Sequence, residues 1–148
     1  FKACETILQF APNARFVVPA ADATRRAQIQ TILDQFPKTK IATTLTTGDS
    51  HSVMEASDAI LVASGTATLE AALFKRPMVV GYAMPGITGI LMERKGIIPW
   101  VSLPNILARK RVVPELLQYF CQPEALGFAL WHETPKLASD AIRQVCGA

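Results

Sequence analysis

At 148 residues, 50% of them hydrophobic, the chain is long enough for one domain with a full core, and its length argues against a second. A net charge of +3 and an isoelectric point near 8.9 are only mildly basic, which excludes the dense cationic surface of a dedicated nucleic-acid binder. No apolar run approaches the roughly 18 residues of a membrane span, and the first residues have no signal-peptide layout. Three widely spaced cysteines, Cys4, Cys121 and Cys146, form no zinc pattern and suggest a reducing compartment. The expectation is a cytoplasmic protein able to touch a membrane surface.

Along the chain, Thr6 to Phe10 reads as the end of a helix, Pro12-Asn13 as a turn, and Arg15 to Pro19 as a short strand. Asp22 or Thr24 can cap a helix running to about Phe36, with Ala27, Ile29, Ile32, Leu33 and Phe36 at helical spacing and Pro37 as its stop. Lys40 to Leu45 is the next predicted strand, Thr46 to Ser50 a polar loop around Gly48, and Ser52 to Ser57 a short helix. Ala59 to Ala63 is a continuous apolar run of strand length, suited to a parallel strand covered on both faces. Ser64-Gly65-Thr66 then turns into a small-residue helix, and Met78 to Gly81 follows Pro77 as another strand. Pro85-Gly86 leads to a predicted helix from about Ile87 to Lys95. Trp100 to Leu103 reads as extended and Pro104-Asn105 as a turn, with helices over Val113 to Phe120, Pro123 to Leu130 and Lys136 to Val145.

This alternation predicts an α/β fold, a Rossmann-like parallel sheet with helices on both faces and right-handed crossovers. Ligands in such sheets bind at the carboxyl ends of the strands. The loops at Thr46 to His51, Ser64 to Thr66, Tyr82 to Thr88 and Leu103 to Asn105 are then expected along one edge. The chain opens inside a predicted helix with no strand before it, so residues 1–148 are expected to be one domain cut at its N-terminal edge, part of a longer protein.

Residues 58–82 form the clearest unit, a strand, turn, helix and strand without interruption. Gly65 lets the backbone turn sharply, and a hydroxyl on either side can cap the following helix. Free N–H groups at a helix start favour an anion, so a phosphate or diphosphate is the natural occupant. Glu70 stands one helical turn beyond Thr66 on the same face. An ionised carboxylate only accepts hydrogen bonds, and two neighbouring ribose hydroxyls can both donate to it. A solvent-facing glutamate paired with a lysine accounts for the same spacing.

The segments ASDAILVASGTATLEAALFKRPMVVGY and VSLPNILA, at 56–82 and 101–108, are similar to the C-terminal half of the lipid A disaccharide synthases. The resemblance implies the GT-B architecture, in which two Rossmann-like domains face each other across a cleft and the C-terminal one holds the sugar nucleotide. It implies an inverting glycosyltransferase that moves diacylglucosamine from UDP to diacylglucosamine 1-phosphate, forming the lipid A disaccharide and UDP. Carried onto this chain, it places the diphosphate at Ser64, Gly65 and Thr66 and the ribose at Glu70, and turns the amide of Asn105 toward the cleft. Without the resemblance, Asn105 reads as a turn asparagine satisfying its own backbone. The uracil is expected over the loop from Thr46 to His51.

Some of the family's pattern is missing from the sequence. Its Gly-Ser-Arg loop and the acidic residues of its N-terminal domain do not occur here, and a position that is often basic in relatives is Ala83. The resemblance therefore implies a missing N-terminal domain as partner, and a segment that catalyses nothing alone, because general base and leaving-group stabilisers arrive from opposite sides of the cleft. No cofactor is expected. Neither His51 nor His132 has a carboxylate or cysteine at ligand spacing, so no metal is expected either. The basic groups Arg94-Lys95 and Arg109-Lys110-Arg111 read either as solvated surface or as contacts for anionic lipid or the acceptor phosphate. Competing readings are the donor domain of another UDP-N-acetylglucosamine enzyme, of muramyl-pentapeptide transferase or 2-epimerase type, and a nucleotide-binding module without chemistry.

Overall fold

A computed structural model describes residues 1–36, 41–83 and 100–134. The described residues form five parallel strands and six α-helices. Helix α1 (Lys2–Phe10) leads to β1 (Phe16–Ala20), and α2 (Ala23–Leu33) leads to β2 (Thr43–Thr47). Helix α3 (Ser50–Ala56) precedes β3 (Ile60–Ala63), and α4 (Ala67–Leu73) joins β3 to β4 (Met78–Tyr82). Beyond residue 100 come α5 (Leu103–Ala108), β5 (Glu115–Leu117), a 3₁₀ turn at Gln118–Phe120 and α6 (Pro123–Glu133).

The expected α/β architecture is present, with the strands in two hydrogen-bonded sheets rather than one. One holds β1 and β2; the other has the order β3-β4-β5. Every pairing is parallel, from Ala20 opposite Thr47 to Ala63 opposite Gly81 and Tyr82 opposite Leu117. The carboxyl ends of neighbouring strands therefore share an edge in each sheet.

Strand β4 is the spine of the core. Val79 and Val80 are both fully buried, and because successive strand residues point to opposite faces they serve different clusters. Val80 packs with Met54, Ile60, Ala71 and Met78, whereas Val79 packs with Ile7 and Leu130. The second cluster also gathers Phe16 of β1 and Leu116 of β5, so α1 and α6 bring both sheets into one core. Helices α1 and α6 cross closely at Gly127, where a Cβ would stand 2.6 Å from the Ala3 carbonyl oxygen. Backbone that near leaves no room for a methyl group.

Capping and turn chemistry behave largely as the sequence suggests. Asp22 caps α2 by accepting from the Arg25 amide at 2.7 Å. Helix α2 nevertheless buries no residue, and Ile32 of its apolar series is 50% exposed.

Four expectations are corrected. Strand β2 runs on to Thr47, so the polar loop after it shrinks to Gly48 and Asp49, both with positive φ. Pro104 and Asn105 lie inside α5 instead of forming a turn; proline is accepted in a first helical turn, where its missing N–H would have no partner. The predicted helix over Val113 to Phe120 is β5 followed by a 3₁₀ turn. Glutamate and leucine favour a helix locally, but pairing of residues 115–117 with Val80, Gly81 and Tyr82 overrides that preference. Trp100 to Leu103 forms no strand; Leu103 begins α5. The predicted helices at Ile87 to Lys95 and Lys136 to Val145 lie outside the described residues.

Candidate functional site

The turn from β3 into α4 is open. Gly65 has φ +148°, a region that L-residues avoid, and a Cβ built there would meet nothing within 4 Å. The glycine is therefore required by backbone conformation, and no described residue crowds it. Gly65 and Thr66 are exposed and Ser64 partly so. Thr68, Leu69 and Glu70 donate their amides to the carbonyls of Gly65 and Thr66. Among the described residues, the N–H groups of Gly65, Thr66 and Ala67 have no acceptor. Unpaired amides at the carboxyl end of a strand suit an anion. Since α4 has only seven residues, these individual donors carry more of that attraction than a helix dipole.

The turn is fastened from below. The Ser64 hydroxyl donates to the Val101 carbonyl at 2.7 Å, and Thr68 Oγ1 donates to the Gly65 carbonyl at 2.7 Å. Thr68 is fully buried, and the same oxygen accepts the Leu103 amide at 3.2 Å. Ser64 therefore contributes to the turn's shape through its hydroxyl hydrogen. Its oxygen lone pairs cannot donate to an anion. Neither side chain caps the helix, contrary to the simplest reading of the motif: Thr66 stands at the cap position without a side-chain bond.

Glu70 is partly exposed and has found histidine, not lysine. Its Oε2 lies 3.2 Å from Nε2 of His51, and since an ionised carboxylate can only accept, Nε2 carries the hydrogen. Both side chains are well exposed, 67% for His51 and 40% for Glu70, so the pair adds little stability. Its value is positional. His51 lies in the first turn of α3, which follows β2, while Glu70 belongs to the helix after β3, so the contact joins the carboxyl ends of the two sheets. Phe74 backs the imidazole, with ring centroids 5.7 Å apart. Spacing along the chain could not disclose this partner, which lies 19 residues away.

Asn105 is placed differently from the cleft-facing position implied by the resemblance. It is fully buried and its amide is saturated. Nδ2 donates to the Val113 carbonyl at 2.9 Å and to Glu115 Oε1 at 2.8 Å. Oδ1 accepts the amides of Val112 and Val113 at 2.7 and 2.9 Å. Two hydrogens and two lone pairs are all that a carboxamide offers, so none is left for a phosphate oxygen. The structure thus brings Ser64, Gly65, Thr66 and Glu70 to one surface and sets Asn105 beneath it.

Glu115 was not singled out by the sequence, yet its carboxylate organises the segment under the turn. It accepts the Ser102 amide at 2.8 Å, the Val101 amide at 3.1 Å, the Ser102 hydroxyl and Nδ2 of Asn105. A cavity of about 350 Å³ lies elsewhere, between α2 and β2, and none of the expected residues lines it. Among the described residues no group of three or more potential ligands could hold a metal ion, and no helix is long and apolar enough to cross a membrane.

Comparison with known proteins gives one consistent answer. A family model described as lipid-A-disaccharide synthetase matches residues 1–146. A lipid-A-disaccharide synthase of Burkholderia lata is 54% identical over 144 residues, 97% of this chain. Enzymes of the same name from Burkholderia mallei and Burkholderia thailandensis are 53% and 52% identical over the same length. The chain spans 36% of the length of these relatives.

Proposed function

The chain belongs to the lipid-A-disaccharide synthetase family, and from that premise we propose that it is the part of such an enzyme that holds the sugar nucleotide. In the full-length protein it binds UDP-diacylglucosamine across a GT-B cleft. The partner domain brings diacylglucosamine 1-phosphate, and transfer yields the lipid A disaccharide and UDP. The open turn carries this reading: three amides at Gly65, Thr66 and Ala67, unpaired among the described residues, beside a partly exposed carboxylate. The amides receive the diphosphate. Glu70, one helical turn further on, accepts from the ribose hydroxyls, and His51 fixes its orientation.

Calorimetric titration of the full-length protein with UDP, ADP and UDP-N-acetylglucosamine tests the proposal. The uridine ligands should bind and ADP should not; equal or absent binding of all three removes the nucleotide site. Glu70→Ala should weaken UDP about tenfold or more, the worth of hydrogen bonds to a charged group, and leave pyrophosphate affinity unchanged. An equal loss for both ligands would remove the ribose role.

We propose further that the full-length enzyme works at the cytoplasmic face of the inner membrane, where lipid substrates of this kind would lie. Arg109, Lys110 and Arg111 support a surface contact there, since all three are exposed at the end of α5 next to Leu107, itself 68% exposed. Each cation near an anionic bilayer is worth about 1 kcal/mol. Reversing all three to glutamate should sharply lower co-sedimentation with phosphatidylglycerol vesicles, and unchanged binding would exclude this contact.

A further inference from the structure

We infer that Glu115 is a positioning residue for the anion-binding turn, acting through the backbone of Val101 to Leu103. This rests on the nucleotide reading of that turn and extends it to a carboxylate that touches no ligand.

The geometry forms a relay of short links. Glu115 Oε1 takes the amide and hydroxyl of Ser102, and Oε2 takes the Val101 amide at 3.1 Å. The segment so held is the one that grips the turn at two points. Its Val101 carbonyl receives the Ser64 hydroxyl at 2.7 Å, and its Leu103 amide reaches Thr68 Oγ1 at 3.2 Å. Thr68 in turn bonds the Gly65 carbonyl, the peptide next to the free amides of Thr66 and Ala67. Asn105 braces the same carboxylate from α5, while its other three bonds hold residues 112 and 113, just ahead of β5.

The chemistry favours a carboxylate here and disfavours its amide. Five donor contacts from four groups converge on the two oxygens of Glu115. No lysine or arginine pairs with it among the described residues. Glutamine would keep one acceptor and turn an NH₂ group toward groups that are themselves donors. A partly buried carboxylate is costly to keep, and a cluster of convergent amides offsets that cost. Its position fits this role as well. Glu115 opens β5 opposite Val80 of β4, anchoring the segment to the most buried strand of the core.

The experiment compares Glu115→Gln and Thr68→Val with wild type in the full-length protein, well below each protein's melting temperature. UDP affinity is measured by calorimetry, and the Gly65 and Thr66 amides are followed by ¹⁵N-resolved NMR. Glu115→Gln should weaken UDP about tenfold and shift both amide resonances. Thr68→Val cuts the relay without touching Glu115 and should do the same more mildly, and it serves as the deciding variant if the glutamine protein does not fold. Lowered melting temperature with unchanged UDP affinity and unchanged Gly65 and Thr66 shifts would overturn the positioning role while leaving the nucleotide site intact. Failure of wild type itself to bind UDP would instead remove the reading on which the role rests.

Discussion

Gly65→Val in the full-length protein is expected to lower UDP affinity about 100-fold, roughly 2.7 kcal/mol, and to lower the melting temperature by only a few degrees. Two effects combine. The φ of +148° at this position would cost a β-branched residue about 1–3 kcal/mol of backbone strain, and relaxing that strain turns the amides of Thr66 and Ala67 away from a common point. The side chain would also stand in the open space above the turn, where a Cβ has no neighbour within 4 Å, and so in the path of a diphosphate. Because no described residue lies within 4 Å of a Cβ here, the core is not disturbed and stability falls only by the backbone strain. Gly65→Ala should show the strain with less of the obstruction and fall between valine and wild type. Calorimetry beside thermal melts separates these contributions. A valine protein that binds UDP as wild type does would mean that the diphosphate sits elsewhere.

Asn105→Leu should produce the largest loss of stability among the site variants, about 3–5 kcal/mol by urea denaturation. Leucine fills nearly the same volume, so packing changes little and hydrogen bonding decides. The substitution removes acceptors from the Val112 and Val113 amides and donors from the Val113 carbonyl and Glu115. Each buried polar group left unpaired costs about 1–3 kcal/mol, and the costs are not additive, because Val112 lies near solvent and water can recover part of them. Asn105→Asp should retain the acceptor side and lose the donors, setting two carboxylates against each other; it should be hardly more stable than leucine. A leucine variant as stable as wild type would show that the amide is not the clamp described here.

The unit from β3 to β4 could be read from the sequence because local signals agree with tertiary structure there. An unbroken apolar run makes a parallel strand, although Leu61 and Ala63 are exposed and the expected cover on both faces is not found among the described residues; a glycine makes the turn, and small residues let α4 lie close to the sheet. The start of α2 was legible for a similar reason, since Asp22 acts within three residues of itself. Strand β5 was not, because Glu115 to Leu117 is helix-favouring by composition and becomes a strand only by pairing with β4.

The candidate site divides the same way. Gly65 and Glu70 were visible from spacing within a single helix and turn. Asn105 pointed two ways: the motif marked it as important, while its partners, residues 112, 113 and 115, come into reach only when α5 folds back toward β5. His51 was passed over because its carboxylate partner, Glu70, stands 19 residues away along the chain. The parallel topology, not the local chain, brings α3 beside α4.

The arrangement of strands also sets how the molecule comes apart. Among the described residues β4 alone has a hydrogen-bonded strand on both sides, and its Val79 and Val80 are sealed from solvent. Deuterium will enter the outer strands β1 and β2 through fraying long before it reaches β4, whose exchange requires global unfolding. The turn at Ser64 to Thr66 hangs from β3, a neighbour of that slowest-exchanging strand, so its footing should stay fixed while the outer strands fray.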